Sequence, residues 1–133
     1  MLKLQRTHMD KKSVELAGAN KYGPYSAGVM AGGTLWLSGQ IAVEVGNDVQ
    51  AQTQGALDKI DALLAAAQLS KHNLCFAQVL LADINDFAAM NEVYGAWVED
   101  IEVRPARAAF AAAALPAGAL VEIVVQGACR TSF

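Results

Sequence analysis

Apolar positions recur at helical spacing over one long stretch of the chain. Val49, Thr53, Ala56, Leu57, Ile60, Leu63, Leu64 and Ala67 fall on one face of a helix, and Asn47 and Asp48 before them are good N-cap residues. A second stripe, Phe87, Met90, Asn91, Tyr94, Trp97 and Val98, predicts another helix, capped by Asp83 or Asn85. Glu99, Asp100 and Glu102 crowd its far end, which the helix dipole disfavours, so it should stop there. Shorter patterns predict strands. Val14–Leu16 and Ser26–Met30 are short candidates, and the turn-rich run Asn20–Tyr25 lies between them. Gly32-Gly33 reads as a hairpin turn into Thr34–Ser38. The apolar run 73–82 suits a buried strand, and residues 120–128, LVEIVVQGA, form a clear one.

Residues 106–115, ARAAFAAAAL, are ambiguous. Alanine favours a helix, yet Pro105 biases Arg104 away from helical geometry and Leu115-Pro116-Ala117-Gly118 closes the segment as a turn. Helix and strand are evenly balanced on local grounds; the strand alternative makes a hairpin with the last strand. With that alternative the order is β-β-β-α-β-α-β-β. This predicts an α+β fold, one sheet with both helices on one face. Residues 1–12 read as a loose polar arm and 13–133 as a single domain. The last strand is apolar on both sides, with Leu120 and Val124 on one and Val121, Ile123 and Val125 on the other. The two helices supply one cover, and a neighbouring subunit is the natural other.

Composition sharpens this picture. Of 133 residues, 54% are hydrophobic and only 17% charged, which suits a chain that buries surface in a subunit interface. Net charge is -3, and no Lys or Arg occurs between Tyr22 and Asp58. Nucleic-acid binding needs a basic stripe, and none is visible. No run approaches a membrane span and the first residues lack the apolar segment of a signal peptide, so the cytoplasm is the expected location. Cys75 and Cys129 sit among apolar residues and are expected as buried free thiols. His8 and His72 stand apart without metal-ligand spacing, and no phosphate-cradling or nucleophile-elbow motif occurs. A site without metal or cofactor is the simplest expectation.

The candidate chemistry lies between Arg104 and Glu122. Glu122, between Val121 and Ile123, is a carboxylate in an apolar strand and must be paired, hydrogen-bonded or neutral. It could serve as a general base, or simply be an edge glutamate or half of an ion pair. Arg107, two residues after Pro105, can grip a carboxylate with two parallel hydrogen bonds. The plainer alternative is that Arg107 and Glu122 pair across the hairpin. Arg104 is expected to be solvated. Tyr25, placed by Gly23-Pro24, lines a pocket or merely packs. Asn91 is polar on an apolar stripe. Gly39, in Ser38-Gly39-Gln40, permits close backbone approach to a ligand or marks a bulge.

Taken together, Arg104-Pro105-Ala106-Arg107, Leu115-Pro116 and Val121-Glu122-Ile123 resemble the C-terminal signature of the RidA/YjgF family, also labelled L-PSP endoribonuclease-like. Gly23-Pro24-Tyr25, Ser38-Gly39-Gln40, Gln52-Thr53, and Asp86-Phe87 with Asn91 and Tyr94 extend the match over roughly residues 20 to 130. The resemblance implies a chorismate-mutase-like fold, a homotrimer with clefts between subunits, and a strand for the alanine-rich segment. It implies a cofactor-free deaminase that hydrolyses 2-enamine and 2-imine acids of the 2-aminoacrylate type to 2-keto acids and ammonia. Carried over, Arg107 clamps the substrate carboxylate, Glu122 holds the attacking water, Tyr25 and Asn91 line the site, and the backbone near Gly39 approaches the ligand. The chain departs from the pattern at Ala109, where many members have a cysteine, in the short segment 42–49, and at Gln68, where a glycine often closes the first helix. A member that binds small carboxylates without turnover, or a ribonuclease, are the rival expectations.

Overall fold

The computed structural model describes residues 10–129. Among these residues six strands form one sheet: β1 (Lys12–Val14), β2 (Gly28–Ala31), β3 (Thr34–Leu37), β4 (Leu74–Leu81), β5 (Ala106–Ala111) and β6 (Val121–Ala128). Two helices, α1 (Val49–Ala66) and α2 (Phe87–Trp97), complete the fold, with short 3-10 turns between. The α+β prediction and both helices therefore stand. The first strand sits slightly earlier than its expected position and begins at Lys12, inside the expected arm. Residues 1–9 of that arm, with His8, and residues 130–133 lie outside the described residues.

Helix α1 forms where its periodicity placed it. Asp48 caps it by accepting from the Ala51 N–H at 3.0 Å, worth about 1 kcal/mol. Leu57, Ile60 and Leu64 are fully buried against the sheet, each contributing roughly 1.5–3 kcal/mol. Gln52 is also buried, and its two ends are satisfied: it donates to the Gly46 carbonyl and accepts from the Leu120 N–H at 2.9 Å. That residue stitches the loop before α1 to the start of β6. The helix ends in a Schellman motif, in which Gln68 N–H bonds Ala65 O at 2.9 Å and Leu69 N–H bonds Leu64 O at 2.8 Å. Gln68 takes the left-handed position, φ 61°, that glycine fills at least cost.

Asp83 caps the 3-10 turn Ile84–Asp86, not α2 itself, and Asp86 at the α2 N-cap makes no side-chain cap bond. Trp97 closes α2 and bonds Asp61 of α1 through its indole N–H at 3.1 and 3.2 Å. Arg104 is exposed as expected, but not idle: its guanidinium donates to the Val98 and Glu99 carbonyls beyond α2.

The sheet runs β1-β2-β3-β6-β4-β5. This overturns the expected hairpin. The alanine-rich segment is a strand, but it pairs parallel to β4, while β6 pairs antiparallel to the opposite edge of β4. β4, α2 and β5 form a parallel crossover unit. The reason lies in burial. β6 is apolar on both sides and takes an interior position between β3 and β4. The small, half-exposed residues of β5 leave it at the edge.

Val121, Ile123 and Val125 of β6 and Ala77, Val79 and Leu81 of β4 face the helices and are buried. Among the described residues nothing covers the other sheet face. Val29 and Trp36 lie there with Phe76, Leu80, Val124 and Phe110, and Trp36 and Phe110 are 40% and 43% exposed.

The cysteines depart from expectation in one respect. Both are free, but Cys75 is exposed and Cys129 half-buried. The register between β4 and β6 shifts between Leu74 and Phe76, and the extra residue, Cys75, is turned out of the core by this bulge.

Candidate active site

Strand pairing decides which way each candidate points. Arg107 pairs with Ala77, which faces the helices, so Arg107 lies under α2. Its guanidinium carbon stands 4.8 Å from the Tyr94 ring centre and 5.6 Å from that of Phe87, and Nη1 is 3.9 Å from the Met90 sulfur. No carboxylate among the described residues pairs with it. Two aromatic faces and a thioether fix the plane of the cation, while almost all of its N–H donors stay available to an incoming carboxylate. The α2 spacing explains the cradle: Phe87, Asn91 and Tyr94, at i, i+4 and i+7, share a face. Asn91 therefore sits on the same stripe as the two rings that hold Arg107.

The Tyr94 hydroxyl is buried and finds no hydrogen-bond partner among the described residues. Burial raises its pKa, and the nearby Arg107 charge partly opposes this.

Glu122 lies on the opposite side of the sheet. It alternates with the buried Val121 and Ile123 and shares a row with Leu80 and Phe110 on the uncovered face. Pairing with Arg107 is thereby excluded within one chain: β4 stands between them and their side chains leave opposite faces. The edge-strand alternative falls as well, since β6 is internal. Burial raises the Glu122 pKa above the usual 4.5, and no hydrogen bond or cation among the described residues offsets it.

The carboxyl group of Glu122 rests on Gly39. A Cβ at Gly39 would fall 1.9 Å from Oε2 and 2.8 Å from Cδ. Trp36 pairs with Gln126, and Gln40 with Ile123, so four steps along one strand oppose three along the other. The bulge brings the Gly39 backbone against the carboxylate. The bulge reading of this glycine is thus realised, and the close approach found here is to the Glu122 carboxyl group.

A cleft of about 350 Å³ opens here, lined by Tyr22, Tyr25, Ser38, Gly39, Pro116 and Glu122, with Ile41. Tyr25 is 41% exposed and accepts the Tyr22 N–H at its hydroxyl, 3.3 Å away. The ammonium of Lys21 lies 5.8 Å from the centre of its ring.

The predicted residues therefore form two groups. Tyr25, Gly39 and Glu122 meet on one side of the sheet, and Arg107 and Asn91 on the other. Sequence reasoning missed the cradle of Phe87, Met90 and Tyr94, although their shared stripe was visible. It did not assign Ser38 or Pro116 to the site, although both stand in motifs that the sequence displayed, and Ile41 gave no local signal.

Fold and site together define a small α+β protein with an arginine held over two aromatic rings and a half-buried glutamate on the other face of the sheet. The family model described as Endoribonuclease L-PSP matches residues 17–129, and the chain belongs to this RidA/YjgF family. The 2-iminobutanoate/2-iminopropanoate deaminase of Capra hircus is 41% identical over 119 residues, covering 83% of this chain and 85% of the relative. YyfA of Yersinia pestis, a conserved Rid-family protein, superposes with a TM-score of 0.84 at 33% identity, covering 90% of this chain and 99% of that one. Escherichia coli TdcF, solved with bound serine, gives 0.82 at 34% identity, with coverages of 90% and 99%. Among the described residues no helix is long and apolar enough to cross a membrane.

Proposed function

We propose that this protein is a cytoplasmic homotrimeric hydrolase that converts short 2-enamine and 2-imine acids to 2-keto acids and ammonia. The observation that carries this reading is a pair of charged groups without counter-ions among the described residues: Arg107 fixed over aromatic rings, and Glu122 partly desolvated by burial. Relatives of similar length named as 2-iminobutanoate/2-iminopropanoate deaminases support the reaction. The serine bound to TdcF supports a ligand that carries a carboxylate.

The two groups lie on opposite faces of one sheet, so a complete site requires two chains. The uncovered face carrying Glu122 and Trp36 would meet the β5–α2 edge of the next copy. Such a contact joins different surfaces and closes into a ring. Tyr25, Gly39 and Glu122 from one subunit then face Arg107 and Asn91 from its neighbour.

In that cleft Arg107 takes the substrate carboxylate in two parallel hydrogen bonds and sets the imine carbon beside Glu122. The imine carbon is already electrophilic. Glu122 holds a water and accepts its proton as the oxygen bonds to that carbon. The same proton passes to nitrogen, giving a carbinolamine; the hydroxyl proton then moves to nitrogen by way of Glu122, the carbon–nitrogen bond breaks, and ammonia leaves as the carbonyl forms. A carboxyl group whose pKa is raised by burial suits this two-way traffic.

The test is keto-acid release from 2-aminoacrylate generated in situ, with the mass of the assembly measured in parallel. Wild-type turnover, its loss in Arg107→Ala, and a mass three times 14.0 kDa are expected. Tight binding of small carboxylates without turnover would replace this reading with a binding role. RNA cleavage abolished by a cleft substitution would replace it with a nuclease, which the net charge of -3 disfavours.

A further inference from the structure

Glu122 is the second residue of β6, and the ends of strands open most readily. Its carboxyl group can keep one place only if the backbone on both sides of it is held. The following side is held by the bridge between Gln40 and Ile123, and Lys59 of α1 fastens the next residue of that loop by donating to the Ile41 carbonyl at 2.6 Å. The preceding side leads back into the exposed turn Pro116–Gly118, where Ala117 and Gly118 both take positive φ, 56° and 68°. Pro116 of that turn lines the same cleft as Glu122.

Leu120 joins the turn to β6, and Gln52 is the side chain that grips it. Gln52 Oε1 accepts the Leu120 N–H at 2.9 Å, and the Leu120 carbonyl accepts the Ala82 N–H at 3.0 Å. The other end of the Gln52 amide donates to the Gly46 carbonyl at 2.6 Å. Gln52 is 1% exposed and lies in the first turn of α1, behind the Asp48 cap. A buried amide is tolerated where its ends are bonded, and here both bonds go to the backbone of loops distant from each other in sequence. Thr53 beside it shows the ordinary alternative. It is buried too, but its hydroxyl bonds back to the Val49 carbonyl of the same helix at 2.7 Å. Gln52 instead carries the rigidity of α1 out to a point two residues before Glu122.

We infer that Gln52 is a positioning residue for the reaction: through Leu120 it sets where the Glu122 carboxyl group stands. The inference rests on the reading of Glu122 as the group that holds and deprotonates the water. Every bond involved lies within one chain. Gln52 is not part of the cleft lining, so it acts on the substrate only by way of Glu122. Arg107 leaves the other face of the sheet and is untouched by these bonds. Loss of the Gln52 grip should therefore slow the step that Glu122 serves and spare substrate binding, which lowers kcat and leaves KM nearly unchanged. A shift of about 1 Å at a reacting centre can cost on the order of a hundredfold in rate.

The experiment measures kcat and KM for 2-aminoacrylate generated in situ, beside thermal unfolding of the same samples. Gln52→Met keeps the length of the side chain without its hydrogen bonds, and Gln52→Asn is one methylene too short to reach both partners; the two guard against a folding failure in either. Each should lose about tenfold to a hundredfold in kcat, with KM within about threefold of wild type. Gln52→Glu keeps an oxygen for the Leu120 N–H in either protonation state and should hold kcat within about threefold of wild type. Ile60→Val, which loses a buried methyl elsewhere on α1, should lower Tm and keep wild-type kcat. Full kcat in a folded Gln52→Met or Gln52→Asn overturns the inference. A kcat loss that Ile60→Val shares, a loss that falls on KM instead, or a Gln52→Glu no better than Gln52→Met overturns it as well. A wild-type protein without turnover overturns the deaminase reading, and the inference with it. An active wild type whose Gln52 variants are indifferent sinks the inference and leaves that reading standing.

Discussion

Gly39→Ala separates the working geometry of the site from the stability of the fold. Gly39 lies outside the left-handed backbone region, so alanine meets no backbone strain there. Its methyl would instead fall 1.9 Å from Glu122 Oε2, where ordinary contact begins near 3.4 Å. The backbone on one side is held by the Gln40–Ile123 bridge, with bonds of 2.9 and 3.1 Å. The flexible carboxylate must therefore give way, by about 1.5 Å on these distances. A displacement of about 1 Å at a reacting centre can cost on the order of a hundredfold, or about 2.7 kcal/mol of transition-state stabilisation. Stability should hold or rise slightly, because alanine restricts the unfolded chain. The assay is kcat/KM for imine hydrolysis beside thermal unfolding of the same samples. In a Glu122→Gln background the added Gly39→Ala change should cost little more, since both act on one carboxylate. Full activity in Gly39→Ala would refute the argument, because it would mean that Glu122 need not rest where the bulge puts it.

Four further outcomes follow from the same structure. Glu122 has a pKa raised by burial, so kcat/KM should fall with acid from a pH above the ordinary carboxylate value; a limb centred at or below 4.5 contradicts this. For the same group, the folded state binds its proton more tightly than the unfolded state does. Its contribution to stability therefore declines as pH rises from the ordinary value through the raised one; denaturant unfolding across that range should show the slope in wild type and its loss in Glu122→Gln. Phe87→Leu removes one ring from beneath Arg107 and should raise KM about twofold to fivefold with kcat little changed, given a cation–π contact of ~0.5–1 kcal/mol; Phe87→Tyr should restore it, and an unchanged KM in the leucine variant would show that the ring does not position the cation. Gln68→Gly relieves a non-glycine left-handed residue and should stabilise by about 1 kcal/mol, raising Tm by roughly 2–4 °C; a lower Tm counts against the strain.

Much of this was legible from residue order alone. The two helices, the last strand and the turn residues follow from local pattern, because periodicity and capping act over a few residues. Arg107 and Glu122 stood out because charged groups are costly in apolar strands. The resemblance then supplied roles for them. Two things were not legible. Alanine propensity left residues 106–115 undecided, and six pairings with β4 made 106–111 a strand. The relation between Arg107 and Glu122 was misjudged, since adjacency in sequence suggested a hairpin. Only the sheet order reveals that β4 lies between them. Side chains alternate along a strand, so each residue's face depends on register with a partner distant in sequence. The sequence by itself determined which residues could do the chemistry. The tertiary structure decided that they leave opposite faces of one sheet, because hydrogen-bonded register is a property of paired strands and not of any one of them.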